Sequence, residues 1–245
     1  MNYRHETVKP YNQQESKSKQ ITEMFNNIAP HYDRFNHLLS LSIDTIWRKR
    51  AILSLKQYAP REILDIATGT GDFALMTNKL LAPTGITGCD LSEGMMEVAR
   101  EKCKHKGVKN ITFERQDCAA LTYPDKSFDA VTISFGVRNF EHLDKSLGEC
   151  LRVLRNGGHL VILELSRPVK FPMKQLYSIY ERCIMPLFGR LLLKDSKAFD
   201  YLPASIEAFP QGEVMQKALE KAGFGKVSFR RMTGGVCTLY IATKL

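Results

Sequence analysis

The stretch "EILDIATGTGDFALMTNKLL" constrains this chain more than any other, because its period changes in the middle. Residues 62–67 form a short apolar run, a glycine turn follows, and helical periodicity begins at once. A strand that passes through a glycine turn into a helix opens a βαβ unit, whose next strand lies parallel to the first. The repeats follow in order. "GITGCD" reads as a second strand and "SEGMMEVAREKCKHKG" as a second helix, with Ser92 as N-cap. "NITFERQD" is a third strand, "FDAVTIS" (128–134) a fourth, "KSLGECLRVLRNGG" a helix closed by its glycines, and "GHLVILEL" a fifth strand. "QGEVMQKALEKAGF" is a last helix, and "KVSFRRMTGGVCTLYIATK" a hairpin around Gly234–Gly235. The expected fold is therefore α/β, Rossmann-like, with a mostly parallel sheet, helices on both faces and a C-terminal antiparallel hairpin.

No repeat or low-complexity linker divides the chain, so residues 20–245 are expected to form a single domain. The polar residues 1–19 read as a partly disordered arm. Residues 20–60 look helical, and 171–206 interrupt the alternation with an amphipathic stretch broken at Pro186; both are expected to cover a substrate. Nothing reaches the roughly 18 consecutive apolar residues of a membrane span, and the start lacks an apolar signal core, so a cytoplasmic protein is expected. The six cysteines show no CxxC and no ligand spacing, which predicts free thiols and no metal. The net charge of +9 sits outside residues 61–150, where 14 acidic residues outnumber 11 basic ones. Basic flanks suit nucleic acid or anionic lipid alike.

The turn 69–74 reads G-T-G-D-F-A. Gly69 and Gly71 allow a close backbone approach to a ligand. Asp90, about 20 residues on, ends the second strand, where a carboxylate can accept both hydroxyls of a ribose. A dinucleotide dehydrogenase fits this much equally well. Thr70 and Asp72 make the turn polar, suited to an ammonium and carboxylate as well as to a phosphate. Asp117, beside Cys118 at the end of the third strand, can take an exocyclic amine. Arg138 and Asn139 follow the apolar Val131, Ile133 and Phe135 just where the fourth strand leaves the core, a fixed cation beside a two-way hydrogen-bonding amide.

"LDIATGTGD", "GCDLS", "QDCAAL", "FDAVTIS" and "RVLRNGGHLVI", in this order and spacing, resemble the class I S-adenosylmethionine-dependent methyltransferases. "MFNNIAPHYDRFNHLLSLSIDTIWR", "ISFGVRNF", "YLPASIEAFP" and "AGFGKVSFRRMTGGVCTLYIATK" are further similar to the ubiquinone/menaquinone biosynthesis C-methyltransferase family, its menaquinone branch above all. This likeness runs from about residue 20 to the C-terminus. It departs at "CAALTYPD", where the family usually has Leu-Pro-Phe, and at Tyr240, where many members have histidine.

The resemblance implies S-adenosylmethionine as methyl donor, no metal, and C-methylation of a prenylated demethylmenaquinol. Methylation of a benzoquinol, or of another class of small molecule, is the alternative. It places the donor site on Thr70, Asp90, Asp117, Cys118 and Ser134, beside Gly69 and Gly71. For the implied reaction, Arg138 is expected to stabilise the oxyanion that develops on the quinol. Asn139 is expected to hold a quinol oxygen, and Tyr32 to act as a hydrogen-bonding lid residue. Phe35, Trp47, Tyr177, Tyr180, Phe188 and Tyr201 suit a flat ring and its isoprenoid tail. The implied partner is a lipophilic quinol and not nucleic acid, with peripheral contact to the inner face of a membrane and a homodimer as further possibilities. Three competing readings fit less well. A base-directed methyltransferase of the amino kind carries a polar-Pro-Pro-aromatic motif where this chain has "SFGVRN". An oxidoreductase leaves "QDCAAL" and "NGG" without a role, and a non-catalytic sensor leaves the Arg-Asn pair without one.

Overall fold

A computed structural model describes residues 3–184 and 196–245. Its centre is a seven-stranded sheet in the order β3-β2-β1-β4-β5-β7-β6. Strands β1 (Glu62–Ile66), β2 (Gly85–Asp90), β3 (Ile111–Arg115), β4 (Phe128–Ser134) and β5 (Leu154–Leu165) run parallel. Strand β7 (Cys237–Thr243) lies antiparallel between β5 and β6 (Gly225–Met232), which is the expected hairpin. Because both faces are covered, the central strands read as nearly continuous apolar runs. Side chains alternate between two cores. Leu64, Ile66, Val131 and Ile133 pack toward helices α7 (Leu143–Val153) and α10 (Glu213–Lys221). Ile63 and Ala130 pack toward α4 (Ile43–Ser54) and α5 (Asp72–Leu81). Ser92 caps α6 (Glu93–His105) by accepting from Met95 N at 3.3 Å.

The chain builds outward from β1 through β2 to β3, then returns to place β4 on the other side of β1. At such a reversal the connections diverge and leave a crevice beyond the carboxyl ends of the strands. The backbone there is strained. Ala67 and Phe135, the residues after β1 and β4, both take left-handed conformations, with φ of 54° and 60°. Gly136 fits only because it has no side chain: a Cβ there would lie 2.4 Å from Ala67 Cβ.

Strand β5 begins at Leu154, four residues before the expected start. Leu154 pairs with Phe128 of β4, and Gly157 N–H donates to Lys244 O, so strand pairing on both sides claims residues expected to close a helix. The N-terminal arm also differs from expectation. Residues 4–7 form a helical turn, α1 (Arg4–Thr7), and α2 (Lys17–Ile28) starts at a wholly buried lysine. Lys17 Nζ donates to the carbonyls of His5 (2.6 Å), Arg138 (3.0 Å) and Phe140 (3.4 Å). Burial, and then the nearby Arg138 charge, push its pKa down to about 7. The arm is held by hydrogen bonds to backbone carbonyls, a kind of anchorage that polar composition does not reveal. In the 171–206 insert, α8 (Met173–Ile179) runs into a π-helical turn (Tyr180–Ile184), and α9 (Ser196–Ala208) follows. Pro186 and Phe188 lie outside the described residues.

Gly136→Ala should destabilise the protein by about 1–3 kcal/mol through overpacking against Ala67. Ala67→Gly should recover most of that loss, because it removes the clashing methyl at a position whose φ favours glycine. Urea unfolding of both single variants and the double variant checks this, and additive single effects would contradict the contact.

Candidate functional site

Two clefts open beyond the carboxyl ends of the strands, and they share the walls Tyr32 and Phe135. The first, of about 810 Å³, is lined by Gly69, Asp90, Asp117, Cys118, Ser134 and Asn139 among others. Gly69 has φ +56°, and a Cβ there would meet nothing within 4 Å, so the turn leaves an open cradle. Asp90 is oriented by two backbone donors, Gly69 N to Oδ2 and Ser92 N to Oδ1, each at 2.9 Å. Each oxygen keeps a further acceptor site for a ligand hydroxyl. Burial nevertheless pushes the Asp90 pKa up, against the bonds from Ser92 and Gly69. Asp117 turns one oxygen to Ala119 N at 2.8 Å, and Cys118 Sγ lies 3.3 Å from Ser146 Oγ. Burial raises the Cys118 pKa to about 12, so it is a neutral thiol wall rather than a nucleophile.

Thr70 and Gly71 do not line this cleft. The Thr70 hydroxyl donates to Asp33 Oδ1 at 2.5 Å, and Asp33 and Asp72 both pair with Lys102. The Thr70 and Asp72 side chains thus each have a partner within the protein. The outer wall, which the sequence reading assigned to substrate, belongs to α2: Ser18, Ile21 and Phe25 line the first cleft. Asn26 Oδ1 fastens α2 to the start of α6 by accepting from Ser92 Oγ (2.7 Å) and Gly94 N (3.0 Å).

Arg138 and Asn139 are neighbours that serve different clefts. Asn139 lines the first, and its Oδ1 accepts from Tyr201 OH at 3.0 Å. Arg138 lines the second, and it is not a free cation. Its Nη1 donates to Glu164 Oε1 at 2.7 Å and to Phe135 O at 2.5 Å, and its backbone N donates to Glu164 Oε2 at 3.1 Å. Glu164, with no exposed surface, fixes Arg138 and is not among the residues that the sequence points to. A lone carboxylate inside "LVILELS" was the available signal. Arg138 Nε remains without a hydrogen-bond partner.

The second cleft, of about 1160 Å³, is mainly apolar. Helices α3 (Tyr32–Leu39) and α4 supply one side, with Leu39, Ile43 and Trp47; the insert supplies the other, with Met173, Leu176, Tyr177 and Tyr180. Trp47 is fixed by a 2.8 Å bond to Thr233 Oγ1, and Tyr180 OH ties the insert to Leu39 O at 2.7 Å. Of the expected aromatic walls, Trp47, Tyr177 and Tyr180 line the cleft, whereas Phe35 and Tyr201 are buried and do not line it. Arg48 and Asp44, also absent from the sequence reading, form a buried i,i+4 pair at its edge. Burial pushes the Tyr32 pKa up, so this shared wall presents a neutral phenol.

Residues 13–244 match the model of the ubiE/COQ5 methyltransferase family. The chain is 54% identical over 245 residues, all of both chains, to demethylmenaquinone methyltransferase of Bacteroides fragilis. It is 41% identical over 221 residues to the enzyme of the same name from Thermus thermophilus, covering 90% of this chain and 100% of that one. To the ubiquinone/menaquinone biosynthesis C-methyltransferase UbiE of Pseudomonas aeruginosa it is 37% identical over 230 residues, 93% of this chain and 90% of the relative. Among solved structures, a SAM-dependent methyltransferase from Thermotoga maritima superposes with a TM-score of 0.60 at 18% identity, covering 92% of this chain and 100% of that one. That likeness shows the fold alone, and it is the fold read from the sequence.

Glu164→Gln should cost about 3–5 kcal/mol of folding stability, because it leaves the Arg138 charge buried without its counterion. Urea denaturation measures this. A loss below about 1 kcal/mol would mean that the guanidinium is balanced by another group.

Proposed function

From the premise that this chain belongs to the ubiE/COQ5 methyltransferase family, we propose that it transfers a methyl group from S-adenosylmethionine to a ring carbon of a prenylated demethylmenaquinol. The observation that carries this reading is the pair of clefts, one polar and one apolar, meeting at Tyr32 and Phe135. A polar nucleoside donor and a lipid-tailed ring need separate surroundings and one point of contact.

When bound, the donor supplies an electrophilic methyl on a cationic sulfur. The residues present suit it: Gly69 for close approach, Asp90 for the ribose hydroxyls, Asp117 and Cys118 for the base, Ser134 and Asn139 nearer the meeting point. In the apolar cleft, a ring carbon becomes nucleophilic as its neighbouring hydroxyl gives up its proton. Arg138 then donates to the developing oxyanion in a site from which water is excluded. With Glu164 balancing its charge, Arg138 acts mainly as an aimed donor, and Tyr32 closes the contact as a neutral hydrogen-bonding group. The rigid apolar walls hold the ring in line with the methyl, which is a large part of what such an enzyme contributes. The α3–α4 segment and the insert form the substrate cover, and α2 covers the donor.

Among the described residues, no helix is long and apolar enough to cross a membrane. Two residues that line the apolar cleft are nonetheless exposed, Leu41 (73%) and Leu176 (55%), and Phe171 (80%) and Ile179 (57%) are exposed on the same insert as Leu176, which also carries Lys170 and Lys174. These side chains support peripheral contact with an anionic bilayer, where the substrate resides.

Labelled methyl transfer to demethylmenaquinol, to its oxidised quinone and to a demethylated benzoquinol tests the reaction. Label should enter the reduced naphthoquinol and not the quinone, whose ring is electrophilic. Arg138→Lys should keep donor binding and lose about 10²–10³-fold in rate, since an ammonium does not reproduce the planar donor fork. Full activity in that variant, or equal labelling of the quinone, would sink the mechanism. In a flotation assay with phosphatidylglycerol vesicles at low salt, the wild type should rise with the lipid. Phe171→Ser with Ile179→Ser should reduce the floated fraction several-fold, and a wild type that stays at the bottom overturns the membrane contact.

A further inference from the structure

Methyl transfer from a sulfonium to a quinol carbon releases a proton. A neutral quinol and a cationic sulfonium give a C-methyl quinol, a neutral thioether and one H⁺. That proton starts on a hydroxyl inside the apolar cleft, where water is scarce, so a group in the wall must accept it. Among the described residues lining the cleft, the titratable side chains are Tyr32, Tyr177, Tyr180, Arg48, Arg138 and Asp44. Burial keeps the tyrosines protonated, with Tyr177 and Tyr180 pushed up to about 12. The arginines are cations with no acceptor capacity. Asp44 is the one carboxylate among these described lining residues.

Its surroundings lead outward. The side chain of Asp44 is 4% exposed; Oδ1 accepts from Ser40 Oγ at 2.6 Å and faces His37 Nδ1 at 3.2 Å, while Oδ2 accepts from Arg48 Nε at 3.3 Å. His37 is 38% exposed, and its Nε2 lies 3.6 Å from Asp72 Oδ2. Backbone strain holds the two together. Leu41 and Ser42 are consecutive left-handed residues, with φ of 49° and 60°, and Ser42 N donates to His37 O at 2.7 Å. This turn brings the first turn of α4 back beside the last turn of α3.

Given quinol C-methylation as the reaction, we propose that Asp44 and His37 are the proton exit of this site, carrying the quinol hydroxyl proton from the apolar cleft to solvent. The Asp44 carboxylate takes the proton as the ring carbon becomes nucleophilic, and hands it to His37 Nδ1. The imidazolium releases the Nε2 proton to water and is left as the Nδ1–H tautomer; exchange with solvent, which returns a proton to Nε2 and removes the one on Nδ1, restores both groups. The carbon–methyl bond forms as the sulfur–methyl bond breaks, and the hydrogen displaced from that ring carbon returns to the quinol oxygen. One proton has then left, as the balance requires. Burial opposes ionisation of Asp44, but the bonds from Ser40 and His37 and the Arg48 charge outweigh it, so the carboxylate stands ionised and surrenders a proton readily. The other charges around the pair are Asp72 and Lys102 on α5 and α6, Asp33 on α3, and the Arg138–Glu164 pair across the cleft.

The test is the pH profile of kcat between pH 6 and 9.5, with reduced demethylmenaquinol and saturating donor, on the full chain. Asp44→Asn should bind the donor as the wild type does and lose about 10²-fold or more in kcat at pH 7. Its rate should climb by about tenfold per pH unit as the quinol ionises without help, while the wild-type profile stays flat. His37→Ala should lose less, and added imidazole should restore it. A purely structural role would lower the Asp44→Asn profile without changing its shape, and that outcome overturns the proposal. Should Asp44→Asn fail to fold, a slowed His37→Ala indifferent to imidazole overturns it equally. A wild type that binds the donor yet methylates no quinol removes the reaction itself, a failure distinct from that of the exit.

Discussion

The ion pair between Arg138 and Glu164 is the contact on which the site's geometry depends. Two buried charges of this kind contribute little net stability, since desolvation offsets most of their attraction. Their effect lies in shape. One guanidinium nitrogen reaches both the Glu164 carboxylate and the carbonyl of Phe135, a residue held in a left-handed conformation. That bond keeps the end of β4 turned, which sets Ser134 and Asn139 toward one cleft and Arg138 toward the other. Phe135 itself is packed against Trp47 with ring centroids 6.4 Å apart, and the Arg48 guanidinium lies 5.0 Å from its ring. A strained residue, the two side chains packed on it and one buried pair thus define the wall between the two clefts.

The N-terminal segment belongs to the same construction. Lys17 donates to the carbonyls of Arg138 and Phe140, and the Glu141 carboxylate in turn accepts from the backbone N–H groups of Lys17 and Ser18 at 3.0 and 2.9 Å. The first turn of α2 and the loop after β4 therefore satisfy each other's backbone groups. Each is ordered because the other is in place, and α2 in that position roofs the first cleft.

Much of the fold was legible because it is written in local period. Apolar runs, glycine turns and helical stretches alternate along residues 62–165 with little ambiguity, and the positions of Asp90, Asp117 and Ser134 follow from where the strands end. What escaped depends on contacts between distant segments. Glu164 gave only the anomaly of a carboxylate in an apolar run, and nothing local says that it faces Arg138. Lys17 looked like part of a polar arm, because burial through hydrogen bonds to carbonyls leaves no hydrophobic trace. Thr70, placed in the donor site by the family resemblance, gives no local sign of Asp33, which comes from a helix 37 residues earlier and accepts from its hydroxyl. Asp44 and Arg48 stand four apart on one helix, a pattern shared by many solvated pairs, and only the packing of α3 and α4 makes them a cleft wall.

In the proposed reaction, the thin wall shared by the two clefts sets what turnover requires. Apart from Tyr32 and Phe135, the two clefts are lined by different residues. With the donor in the first cleft and the quinol in the second, as proposed, both must be present together for the methyl to pass. Initial-rate plots then intersect, as for any direct transfer through a ternary complex. All that crosses between the two spaces is one carbon with its three hydrogens.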